Sequence, residues 1–180
     1  MEIVFRVDGS LLLGRGHIVR CLTLAKVLQE RGAKCSFLSR PLSGNVDDLI
    51  REASFPLIEL PALPENSSTR ESKCKSLRHE VEMLGQIWEA DAVDSMSAIG
   101  DRELDWLVVD HYSLDHRWES KMRRPSQKIL IIDDLADRSH DCNLLLDQNC
   151  VADLESRYDD LVPKTCRNLL GPQYALLQAE

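Results

Sequence analysis

The residues with the most capacity for chemistry lie in a glycine-bearing stretch from Asp8 to His17, and just after the apolar runs that follow it. Gly14, Arg15 and Gly16 stand directly before His17, so the backbone there can approach a ligand closely. The apolar spacing that follows opens a helix. Its partial positive N-terminus disfavours imidazolium, so His17 is expected to be neutral and able to take a proton near pH 7. Capping or packing at the helix start is the other role open to this histidine. Asp8 follows the first apolar run, Arg40 the second, Asp110, His111 and Tyr112 a later one, and Asp133 and Asp134 the next. Such carboxylates could hold Mg²⁺, or cap helices and close turns, as Asp133 and Asp134 before Leu135 suggest. Tyr112 is either an amphipathic residue at the core edge or a hydroxyl donor facing a ligand.

Two familiar phosphate loops are poorly matched. Gly14 and Gly16 begin a GxGxxG pattern, but its third glycine is Val19, and Arg40 ends the second strand where a ribose-binding acid belongs. Gly9 and Gly14 have P-loop spacing, yet Arg15 and Gly16 replace the Lys and Ser/Thr that hold phosphate and magnesium.

The elements that must position these residues read as α/β. Glu2–Val7 and Cys35–Ser39 are expected strands. Between them Ile18, Cys21, Leu22, Ala25 and Leu28 recur at helical spacing, giving a βαβ unit. Further strands are expected at Phe55–Leu60, Leu104–Val109, Lys128–Ile132, Leu144–Leu146 and Asn168–Leu170. Helices are expected at Asn45–Glu52, His79–Ile99, His116–Arg123 and Asp153–Leu161. Continuous apolar strands suit a mostly parallel, Rossmann-like sheet with helices on both faces. Right-handed crossovers then bring the polar strand ends to one sheet edge, where ligands of open α/β sheets gather. Pro61–Arg78, rich in Pro, Ser, Glu and Lys, reads as an exposed connection, either a surface insertion or a lid.

At 180 residues and 43% hydrophobic content, the chain is expected to bury one core. Its formal charge of −8 disfavours capture of nucleic acid or an anionic membrane, either of which needs a dense basic face. The apolar runs are shorter than a membrane span and Met1 leads straight into a strand, so a cytoplasmic location is expected. Six scattered cysteines without CxxC spacing read as reduced, mostly buried thiols.

Four blocks, taken in order, carry a resemblance: FRVDGSLLLGRGHIVRCLTLA from Phe5 to Ala25, LVVDHYSLDHRWE from Leu107 to Glu119, ILIIDDLADRSHDCNLLLDQN from Ile129 to Asn149, and LLGPQYALL from Leu169 to Leu177. Together they resemble the N-terminal half of the UDP-2,4-diacetamido-2,4,6-trideoxy-β-L-altropyranose hydrolase family of pseudaminic acid biosynthesis. The resemblance implies a two-domain GT-B architecture in which residues 1–180 form the sugar-facing N-terminal domain. A C-terminal UDP-binding domain, absent from this chain, would be the covalent partner. It implies release of UDP by inverting attack of water on the anomeric carbon, with no cofactor or metal. His17 falls on the catalytic histidine, Gly14, Arg15 and Gly16 on the substrate-contacting loop, and Tyr112 on a tyrosine of the sugar pocket. Asp8 and His111, at the same strand ends, are taken as further substrate contacts. Ser113 and Asn143 depart from the Gly and Asp frequent in the family, which touches a turn and a structural polar position. The rival expectations are a GT-B glycosyltransferase and a non-catalytic sugar-binding domain.

Overall fold

The structure is a computed structural model and describes residues 1–42, 44, 46–62 and 77–177. Seven strands, β1 (Glu2–Val7), β2 (Lys34–Ser39), β3 (Leu57–Glu59), β4 (Leu104–Asp110), β5 (Ser126–Ile132), β6 (Leu144–Asp147) and β7 (Arg167–Leu170), form one sheet in the order β3-β2-β1-β4-β5-β6-β7. Every neighbouring pair is parallel. This is the wound α/β, Rossmann-like fold expected from the sequence. The strand order reverses between β1 and β4, which opens a crevice beyond their C-terminal ends.

Alternation along the strands makes two cores. Ile3, Phe5 and Val7 of β1 face α1 (Gly16–Glu30) and α2 (Asp48–Glu52), together with Ile18, Cys21, Leu22, Phe37 and Ile50. Val4 faces the other side, with Ala92 and Ile99 of α4 (Trp88–Ile99) and Trp118 and Met122 of α5 (His116–Met122). Helices therefore cover both faces, and the strands read as continuous apolar runs because neither face meets water.

Strand bounds move by a residue or two, with β3 shortened from the expected Phe55–Leu60 to Leu57–Glu59, and three helix expectations differ by more. The helix expected over His79–Ile99 is two helices, α3 (Leu77–Gln86) and α4, broken at Ile87, whose N–H bonds back to Leu84 in a tighter turn. Asp153–Leu161 is a chain of turns with Ser156→Asp153, Asp159→Ser156 and Leu161→Tyr158 backbone bonds. Tyr158 is pulled inward there, its hydroxyl donating to Asp133 and Asp147 at 3.0 Å each, and this tertiary anchor overrides the helical spacing. α2 covers only the end of the expected Asn45–Glu52 helix, and Asn45 lies outside the described residues. Most of the Pro61–Arg78 connection and Cys74 also lie outside them. Cys21, Cys35 and Cys142 are buried free thiols, whereas Cys150 is exposed and Cys166 half-buried. No helix among the described residues is long and apolar enough to cross a membrane.

Candidate active site

β1 ends at Val7, and the chain turns through Asp8 to Gly14 before α1 begins. Ser10 organises this loop: its hydroxyl accepts from the Leu12 and Leu13 amides at 3.1 and 3.0 Å, and its carbonyl accepts from the Gly14 amide at 2.8 Å. Gly14 closes the loop at φ +81°, and a Cβ added at Gly14 or Gly16 would meet no atom within 4 Å. The loop therefore presents open backbone immediately before the helix, as its sequence suggested. Gly9 drew attention in the sequence only for its P-loop spacing with Gly14, and the structure gives it a packing role instead. A Cβ there would come within 2.6 Å of Ile18 Cδ1 and 2.7 Å of Val46 Cγ2, so only glycine lets the loop pack on α1.

His17 occupies the first turn of α1, a helix without a side-chain cap. Its side chain is 6% exposed. One flank is built from β4: Nδ1 contacts the Asp110 carboxylate, and the Tyr112 ring meets the imidazole edge-on, with centroids 4.4 Å apart. A carboxylate at Nδ1 fixes the tautomer with the proton on that nitrogen, leaving the lone pair on Nε2. Nε2 has no hydrogen-bonding partner among the described residues and is not among the sealed, unpartnered polar atoms. The histidine is thus buried by its orienting flank and open at its basic nitrogen.

Arg20 was not singled out from the sequence, and Asp110 only as one of the strand-end carboxylates that could hold a metal or cap a helix. Burial alone would raise the Asp110 pKa, but the adjoining His17 and Arg20 hold it well below the usual carboxylate range. Arg20, one helical turn beyond His17, binds Asp110 through Nε and Nη2 and reaches Asp134 through Nη1 at 3.0 Å. The signal for Arg20 was its i+3 spacing from His17; Asp110 needed the β1–β4 adjacency. Tyr112 is half-buried, and its hydroxyl makes no hydrogen bond with a described residue. Burial, followed by the nearby Asp134 charge, pushes that phenol up.

Asp8 and His111, both buried, turn toward a second network behind this wall. Asp8 pairs with Arg6 and accepts from the Arg40 amide at 2.8 Å. His111 Nδ1 accepts from the Ser113 amide at 3.0 Å, so Nε2 carries the proton and donates to Asp8 at 2.9 Å. Burial lowers the His111 pKa despite Asp8. Burial opposes ionisation of Asp8 too, yet Arg6 and then His111 hold it far below the carboxylate range. Arg6, near the C-terminal end of β1, and Arg40 converge on Asp91 of α4, which also accepts from Trp118 Nε1 at 2.9 Å.

The remaining strand-end carboxylates also have partners. Asp133 accepts from the Ala136 amide at 2.9 Å, the turn expected there, and Arg138 lies 3.0 Å from its other oxygen. Asn143 accepts from the Ile129 amide at 2.9 Å, which is the structural role expected of a polar residue at that position. Among the described residues no group of three or more His, Cys, Asp and Glu is arranged to hold a metal ion. Two cavities lie elsewhere. One of 260 Å³ sits at the opposite sheet edge around Met96, Arg102 and Arg124. Another of 470 Å³ is lined by Glu82, Gly85, Gln86, Trp88 and Arg117.

No family model matches the chain. Three solved structures share parts of it: the calicheamicin glycosyltransferase CalG4 (20% identity, 73% of this chain and 32% of that one, TM-score 0.45), a UGT transferase from Siraitia grosvenorii in complex with UDP (22%, 74% and 28%, 0.42), and Acinetobacter baumannii MurG (11%, 93% and 67%, 0.36). Among curated proteins, the chain is 32% identical over 181 residues to the UDP-2,4-diacetamido-2,4,6-trideoxy-β-L-altropyranose hydrolase of Campylobacter jejuni subsp. jejuni, a match covering 100% of this chain and 53% of that protein. The chain therefore spans about half the length of the curated relative it matches. Along the whole of its own length this chain is similar to the UDP-2,4-diacetamido-2,4,6-trideoxy-β-L-altropyranose hydrolase, the family that the four sequence blocks resemble.

Proposed function

We propose that this chain is the sugar-facing half of a nucleotide-sugar hydrolase that releases UDP from UDP-2,4-diacetamido-2,4,6-trideoxy-β-L-altropyranose. The observation that carries the reading is His17: its Nδ1 is held by a buried carboxylate while Nε2 stays open beside the loop at the sheet's switch point. That arrangement suits a general base. The relative's printed activity supplies the substrate class.

A pyrophosphate leaving group is a weak base, so its departure needs less acid assistance than an ordinary glycoside. One base facing a water on the opposite side of the anomeric carbon suffices. As the water oxygen bonds to that carbon, its proton passes to His17 Nε2 and the C–O bond to UDP breaks with its electron pair on the phosphate oxygen. Asp110 stabilises the imidazolium that forms, and the configuration inverts. The open backbone of Gly14, Arg15 and Gly16 and the unpartnered Tyr112 hydroxyl orient the acetamido groups. Asp8 and His111 support the wall from behind, holding the turn at Ser113. The UDP moiety is held mainly by a second domain.

The test is to incubate the complete gene product with the UDP-sugar and follow the products by NMR. Free sugar of inverted configuration and UDP, formed with no acceptor present, support hydrolysis. Turnover only when a sugar acceptor is added would instead identify a glycosyltransferase.

A further inference from the structure

We propose that Arg20 is a positioning residue for this reaction: it clamps Asp110 so that the carboxylate holds His17 in one tautomer and one orientation. The inference rests on His17 being the base. Arg20 leaves α1 one turn after His17, and its side chain is only 12% exposed. Its Nε bonds Asp110 Oδ2 and its Nη2 bonds Asp110 Oδ1 at 2.6 Å, a two-pronged contact with one planar group. The third nitrogen, Nη1, crosses to Asp134 Oδ2 beyond β5 at 3.0 Å. One guanidinium thus ties together helix α1, the end of β4 and the end of β5.

The consequence for His17 follows from the donor inventory. A guanidinium has no acceptor, so Arg20 Nη2, 3.2 Å from His17 Nδ1, and the Nδ1 proton both aim at Asp110 Oδ1. With both oxygens held by the fork, the carboxylate cannot rotate away from Nδ1 without breaking the Arg20 contacts. A lysine could supply the charge at this place but not the two-pronged geometry. The groups facing the imidazole are Asp110 from β4, Tyr112 from the loop after it and Arg20 from its own helix, with Asp134 behind Arg20.

The experiment compares wild type, His17→Asn, Arg20→Gln and Arg20→Lys in the complete gene product, measuring kcat and KM on the UDP-sugar. The Nδ1 proton resonance of His17 is followed by NMR alongside. Misorientation of a base by about 1 Å can cost on the order of 10²-fold, so Arg20→Gln should lose kcat by about that factor with KM little changed, and lose the low-field Nδ1–H signal. Arg20→Lys should keep the fold and still lose both kcat and the signal, more mildly. Should Arg20→Gln fail to fold, Arg20→Lys decides. Wild-type kcat and an intact signal in Arg20→Lys would overturn the proposal, as would a rise in KM with kcat unchanged in either variant. If His17→Asn itself retains normal turnover, the reading of His17 as base fails instead.

Discussion

At the scale of single residues, the site wall is held by charges the protein has taken out of water and paired. Asp91 is 2% exposed and serves Arg6, Arg40 and Trp118 at once. Asp91→Ala leaves two buried guanidinium groups without their shared partner and should cost about 3–5 kcal/mol, measurable by denaturant unfolding. His111 gives a pH signature. Its folded pKa lies below the ordinary imidazole value because of burial, so below about 6.5 the unfolded chain binds more protons than the native one. Stability should therefore fall as pH drops from about 6.5 toward the folded value, and His111→Gln should flatten that slope in pH-dependent unfolding curves. A second loss should begin below about 3.9, where the depressed carboxyl groups of Asp8 and Asp110 begin to bind protons in the unfolded chain. The sequence showed which ionisable residues gather at strand ends, because strand and helix periods are local. It did not show that Asp110 belongs to His17 or Asp91 to Arg6, since those pairs are 93 and 85 residues apart and depend on which strands and helices become neighbours.

At the scale of elements, the loop between β1 and α1 is the working part, and its glycines have different jobs. Gly14 needs its left-handed φ of +81°, whereas Gly9 needs to be small because Ile18 and Val46 press on it. Gly14→Ala meets no steric obstacle beyond its backbone conformation, so the cost should be that of a left-handed L-residue, about 1–2 kcal/mol, read from thermal or denaturant unfolding. Helix α1 was legible from Ile18, Cys21, Leu22 and Ala25, all buried as their spacing required. The expected helix at Asp153–Leu161 was not formed, because the Tyr158 hydroxyl is drawn to Asp133 and Asp147. A side chain anchored that deeply sets the local backbone, and no periodicity records the anchor.

At the scale of the whole molecule, the strand order explains why a histidine after the first strand meets the aspartate that ends the fourth. β1 and β4 are adjacent, and their C-terminal ends flank the point where the winding reverses. The parallel class could be anticipated from strand composition, but the adjacency could not, since crossover helices reveal their handedness and not their destination. The chain spans about half of its curated relative, and in the proposed division of labour it supplies the base and the sugar wall. Titration calorimetry with UDP should accordingly show weak binding to residues 1–180; tight binding would contradict that division. The central claim is that His17 Nε2 takes the proton from the attacking water. The most direct measurement is the rate of UDP release from the UDP-sugar by the complete gene product carrying His17→Asn, set against wild type. The account predicts a fall on the order of 10²-fold or more with the fold intact by circular dichroism, and near-normal turnover by a folded variant would contradict it.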